Sequence, residues 1–230
     1  MARSRTLGEM RSDVRLRADL VGNQFVSDSE INEYINQSLA ELYDKLINAH
    51  GQEFYIKQDV VTTIGAQETY TLPSDHYETL YVELDDGSTR FRLPSYSMHE
   101  RARIIGTNVN NPGRPIAFRL QQGSLSLLPP PTGGFTIRHW YVPACARLVG
   151  DSDSFDGVDG WEEYAVWRAV AYVQQKEQLD ASFALGMVAS IGARVDKIAP
   201  FRAANNTERV VDVYRVRIYD FAPSRFLPRP

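Results

Sequence analysis

The chain reads as an α+β protein, a helical bundle with an inserted small antiparallel β domain and an extended C-terminal arm. Three observations predict it. Apolar residues recur at helical spacing towards both ends, the period shortens to two between residues 53 and 142, and the final stretch is aromatic, basic and broken by proline. Two separated helical pairs, each with an apolar stripe, bury that stripe most economically in one shared core. The expected division is 1–52 and 157–204 for the bundle, 53–145 for the β insertion, 146–156 for a linker and 205–230 for a docking arm.

Thr6 and Glu9 form a capping-box pattern, followed by Leu7, Met10, Val14 and Ala18 at helical spacing. Ser27 and Glu30 repeat the pattern ahead of a longer helix. Its apolar face is Ile31, Tyr34, Ile35, Leu39, Leu42, Leu46 and Ile47, and His50-Gly51 ends it. Phe54, Ile56, Val60 and Ile64 then mark one or two strands, and residues 65–68 a turn. Tyr77 to Leu84 reads as a strand. Asp85-Asp86-Gly87-Ser88 is a hairpin turn, and Arg90 to Leu93 returns with basic and apolar residues alternating. A short helix is expected within 95–105, a loop over 108–115, and strands over 116–120, 124–128 and 135–141.

Helices resume near Trp161, with Asp159 as the expected cap and Glu162 three residues later. Tyr164 to Val173 is apolar on nearly every face except at Arg168, the pattern of a central helix. Asp180 starts the last helix, whose face is Ala184, Val188, Ile191, Val195 and Ile198, closing near Pro200. Gly186 and Gly192 lie inside it, which is either simple tolerance or the mark of a closely approaching helix.

The net charge of −4 is unevenly spread. Residues 1–17 hold five arginines against Glu9 and Asp13, and residues 208–230 hold five against Glu208, Asp212 and Asp220, so the acidic excess lies between them. Basic ends on an acidic body fit acidic protein surfaces, and the absence of a central basic patch argues against sequence-specific nucleic-acid binding. A single cysteine, Cys145, excludes an internal disulfide and reads as a packed residue. The opening residues lack the apolar core of a signal peptide, and Arg168 and Lys176 interrupt the most apolar helix, so neither secretion nor a membrane span is expected.

Few residues stand at the spacing that chemistry requires. His50, His76, His99 and His139 are scattered without metal-ligand spacing. Asp151, Asp153 and Asp156 imitate a calcium loop but miss its glycine and glutamate positions, and they read as a polar linker with helix caps. No glycine run has phosphate-loop spacing. No cofactor is expected. Two arginine–aromatic interleavings, Arg90-Phe91-Arg92 and Tyr214 to Tyr219, are the nearest approach to a nucleic-acid surface. In the arm, Val210, Tyr214, Val216 and Ile218 form the better buried face. Arg209, Arg215 and Arg217 offer contacts to carboxylates, with Tyr219, Phe221 and Phe226 as further anchors. Such a strand gains order on joining an edge or groove, of a partner or of its own domain.

The runs TLGEMRSDVRLRAD (6–19), FVSDSEINEYINQSLAELYD (25–44), YTLPSD (70–75), LSLLPP (125–130) and WEEY (161–164) resemble the tailed-bacteriophage head-to-tail connector, or adaptor, proteins. The resemblance spans roughly 6–200 and rests on the order of these motifs. It implies a virion protein without catalytic activity. Such a protein assembles in the host cytoplasm into a ring, commonly of twelve copies, at the head–tail junction. The implied partners are the portal protein, neighbouring adaptor subunits, a tail tube or nozzle protein, and DNA in passage without sequence specificity, with no membrane. It also implies that the arm extends along the portal or a neighbour. From another class, a tail-associated module recognising a protein or host glycan through the β insertion would need Tyr77, Tyr81 or Trp140 exposed beside the 108–114 loop. An enzyme would need buried polar residues clustered around His76 or His139.

Overall fold

The computed structural model describes residues 4–20, 25–50, 55–105, 112–155 and 160–202. Five helices and seven strands follow in the order α1 (Leu7–Arg17), α2 (Asp28–His50), β1 (Lys57–Thr62), β2 (Thr69–Thr71), β3 (His76–Asp85), β4 (Arg90–Leu93), α3 (Met98–Ile105), β5 (Ala117–Gln121), β6 (Ser124–Leu128), β7 (Thr136–Pro143), α4 (Glu162–Lys176) and α5 (Ser182–Arg202). The fold is α+β.

Both capping boxes form. Thr6 Oγ1 accepts from the Glu9 amide and the Glu9 carboxylate accepts from the Thr6 amide. Ser27 and Glu30 do the same ahead of α2, which satisfies amides that the first turn leaves unpaired. The apolar stripe of α2 is then buried: Ile31, Ile35, Leu39, Leu42 and Leu46 are sealed from solvent. They share one core with Leu7, Met10 and Val14 of α1, Val166, Ala169, Val170 and Val173 of α4, and Ala184, Val188 and Val195 of α5. Helix α4 packs on α1, α2 and α5, as its nearly all-round apolar sequence predicts.

Several details depart from expectation. Trp161, not Asp159, stands at the N-cap of α4 and makes no side-chain cap hydrogen bond there, while Asp159 lies outside the described residues. Glu162 is buried rather than capping, and burial pushes its carboxyl above the ordinary range. Helix α5 runs past Pro200 to Arg202. On it Ile198 faces outward and Ala199 takes the buried position, because the face drifts around a 3.6-residue period. An alanine at Gly192 would meet Lys45 and Tyr164 at ordinary contact, 3.5 Å, and one at Gly186 would meet open space. The 146–155 stretch is packed into the helical core: Leu148 and Phe155 are buried, Asn36 exchanges two hydrogen bonds with the Leu148 backbone, and Leu7 and Gly8 amides donate to Asp153 and Asp151 carbonyls.

The strands form two antiparallel sheets, ordered β1-β7-β3-β4 and β2-β6-β5. Val82, Leu84, Leu93 and Ile137 from the first meet Tyr70, Phe118, Leu125 and Leu127 from the second in a separate core. The hairpin between β3 and β4 forms at the expected turn. Gly87 takes φ +88°, and Asp86 accepts from the amides of Ser88 and Thr89. In β1 the buried set is the opposite of the one expected. Val61 packs inward, whereas Val60 and Ile64 are half or more exposed. An apolar residue on each face leaves the register to pairing with β7.

Candidate functional site

The partner-binding residues expected in the arm, Arg209, Val210, Tyr214, Arg215, Val216, Arg217, Ile218, Tyr219, Phe221 and Phe226, all lie outside the described residues. Four of the five N-terminal arginines, Arg5, Arg11, Arg15 and Arg17, are described, and they are used within the chain. Arg17 donates two hydrogen bonds to Glu163, and Arg5 bridges Asp13 and Glu163. Arg11 grips Asp151 through two contacts of 2.9 Å, and Arg15 holds Asp28. These pairs tie α1 to α4, to the stretch before α4 and to α2. The positive charge of Arg5, Arg11, Arg15 and Arg17 is therefore largely neutralised in place and not free for an acidic partner.

A polar cluster that sequence spacing did not reveal lies where β3 meets β7. Thr79 Oγ1 is 2.8 Å from His76 Nε2 and 2.8 Å from His139 Nε2. One hydroxyl proton serves one ring, so the other ring must donate its own N–H to the oxygen. His139 Nδ1 is buried without a partner. A bare acceptor nitrogen costs less there than an orphaned N–H, which assigns the Nε2–H tautomer to His139. Its ring stacks on Tyr141 at 5.2 Å and lies 5.3 Å from His76. The Tyr141 hydroxyl donates to Asp75, which also accepts from Lys57. Two register shifts in β3 against β7, between His76 and Glu78 and between Thr79 and Tyr81, bring these residues onto one face. Residues three and sixty positions apart from Thr79 cannot be associated by local period.

The chemistry open to this cluster is narrow. Burial, reinforced by His76, lowers the His139 pKa to about 4, and burial also lowers that of His76. Imidazoles this weakly basic are poor proton acceptors near neutral pH. Among the described residues no group of three or more His, Cys, Asp or Glu is placed to hold a metal ion. Cys145, which packs beside the helical core, has its thiol pushed up to about 11 by burial and Asp44, so it is not a ready nucleophile. His99 is exposed on α3.

The outer face of the four-stranded sheet carries the aromatics singled out from the sequence. Tyr81 and Trp140 stack at 5.8 Å, Arg92 lies over the Tyr81 ring at 5.3 Å, and Trp140 Nε1 donates to Glu83. Arg114, after the 106–111 segment, sits 4.0 Å over Phe91 and pairs with Asp86. Tyr77 is half exposed, with its hydroxyl donating to Asp44 of α2. Tyr81 and Trp140 are half buried, so their faces are mostly spent on one another.

Other exposed apolar groups are spread over strands, loops and helices. Phe183 is 70% exposed at the start of α5, edge-on to Trp167 of α4, and Arg17 covers the Trp167 ring at 4.7 Å. Among the described residues no helix is long and apolar enough to cross a membrane.

No curated protein matches the chain. The model of one protein family does, described as SU10 adaptor protein, and the match spans residues 5–210. That span takes in the capping boxes, the helical core, both sheets and residues 205–210 of the expected arm, Arg209 and Val210 among them. With nearly the whole sequence aligned, the chain belongs to the SU10 adaptor family of phage head-to-tail adaptor proteins.

Proposed function

We propose that the protein is a structural adaptor that assembles into a ring, of twelve copies as the family resemblance implies, joining the phage portal to the tail and lining the DNA channel. The match over residues 5–210 carries this reading. The helical bundle forms the body of the subunit, the β region is an insertion within it, and the 205–230 arm docks on portal or on an adjacent subunit. Portal, neighbouring subunits and a tail tube or nozzle protein are its contacts, and DNA passes without sequence recognition. The ring sits at the head–tail junction and is assembled in the host cytoplasm. No catalytic step is assigned to it, and the weak basicity of His76 and His139 fits a structural role for their cluster.

Native mass measurement and electron microscopy of the purified chain, alone and mixed with its portal protein, test the proposal. A closed ring, or a ring formed on portal, is the expected result. A chain that stays monomeric and ignores portal at physiological salt overturns it. The stacked Tyr81–Trp140 pair under Arg92 favours a second reading, a tail-associated module that recognises a protein or glycan through the β region. Glycan-array binding abolished by Trp140→Ala, together with failure to join portal, would select that reading.

A further inference from the structure

A surface groove of about 800 Å³ runs between β3, the outer edge of β4 and β5. Leu80, Pro94 and Leu120 supply apolar walls, and Arg92 and Arg119 supply its charge, with no carboxylate among its lining residues. The two arginines stand apart from their neighbours. Arg90, Arg101, Arg114 and Arg138, the other arginines of the β region whose side chains are described, each have a carboxylate within 3.4 Å. Among the described residues neither Arg92 nor Arg119 enters an ion pair, and Arg119 Nε is buried without a hydrogen-bond partner. Glu83 lies opposite Arg92 in the sheet, but it is engaged by Trp140 Nε1 at 3.1 Å.

We propose that this groove binds an extended segment of a partner protein that carries a carboxylate flanked by apolar side chains. The apolar walls take the flanking side chains, and the two guanidinium groups take the carboxylate by charge-assisted hydrogen bonds. The backbone also favours an extended occupant. Among the described residues, β4 has no further strand on its outer edge beyond its pairing with β3, and the Tyr96 and Phe118 amides close one end of the groove by bonding across to Phe118 and Pro94 carbonyls. A nucleic-acid strand fits less well, because Tyr96 is 7% exposed and offers no face for a base to stack on. The chain's own 209–219 stretch sets Arg209, Arg215 and Arg217 against Asp212, so its charge repels the two arginines. The proposal adds a partner surface to the adaptor reading and does not depend on ring formation.

The test titrates the full-length protein into a dye-labelled, terminally blocked Leu-Asp-Leu-Asp-Leu peptide and follows fluorescence anisotropy. Saturable binding that weakens with added salt is expected. Arg92→Ala should weaken it about tenfold or more, in line with the ~1.5–3 kcal/mol of a hydrogen bond to a charged group. Arg119→Gln should do the same, and Arg194→Ala, on α5, should leave it unchanged. Because Arg92 is exposed, its variant decides the matter even if Arg119→Gln unfolds, which a thermal melt would show. No saturation below ~1 mM overturns the proposal, since that affinity is too weak to hold a partner segment. Equal binding of the Leu-Asn-Leu-Asn-Leu peptide, of a short oligothymidylate or of a peptide spanning 209–219 also overturns it, as does binding that is indifferent to Arg92→Ala.

Discussion

His139 is 3% exposed, and its position is favourable only while the ring stays uncharged. The groups facing it are Thr79 at 2.8 Å, His76, Tyr141, and Asp59 across the β1–β7 pairing, with Asp75 and Lys57 one layer further out. Its folded pKa of about 4 lies below the ordinary 6.5, so on acidification the unfolded chain takes up the proton first. The stability it contributes is fully present above about pH 6.5 and is lost as pH falls through about 4. The shift corresponds to about 3 kcal/mol. Unfolding curves collected between pH 7 and pH 4 should show that decline, and His139→Phe should remove much of it. A His139→Phe protein with the same pH profile as the parent would mean that the cluster does not hold its histidines neutral. The sequence shows His139 without metal-ligand spacing and gives no sign of its partners. Thr79 and His139 are far apart along the chain, and the bulges in β3 that align them leave no periodic signature.

At the level of elements, α5 separates the two explanations for its glycines. A Cβ at Gly186 would stand in open space within the subunit, so intrinsic helix propensity should decide the outcome there. Gly186→Ala should stabilise the isolated subunit by about 1 kcal/mol, measured by urea unfolding. If the same variant also assembles less well than the parent, a neighbour's helix approaches that face in the assembly. Unchanged assembly assigns Gly186 to tolerance. The helices were legible in the sequence because their caps are local: Thr6 with Glu9 and Ser27 with Glu30 act over three residues, and α2 shows a clean stripe. β1 was not, because Val60 and Val61 put an apolar group on each face and alternation alone cannot choose between them.

For the molecule as a whole, the larger core is built mainly from α1, α2, α4 and α5 and the smaller one from the two sheets, and these elements all end before residue 205. Deleting 208–230 should therefore leave the thermal transition of the subunit nearly unchanged while weakening assembly. Analytical ultracentrifugation with and without portal measures this. Slow hydrogen exchange across 209–219 in the isolated subunit would instead place the arm in its own domain.

The sequence by itself determined the α+β class, the starts of α1 and α2, the hairpin at Asp85–Ser88 and the adaptor family. All of these are written in local spacing or in the order of short motifs. The tertiary structure alone decided which charges are spent inside the subunit and which remain available. Arg5, Arg11, Arg15 and Arg17 look like a docking segment in one dimension, yet they close on Glu163, Asp151 and Asp28. Arg92 looks like any strand arginine, yet among the described residues it enters no ion pair and lines one groove with Arg119. Charge pairing depends on distances in space, which fall to a few ångströms between residues up to 158 positions apart, and no reading of sequence neighbours contains them.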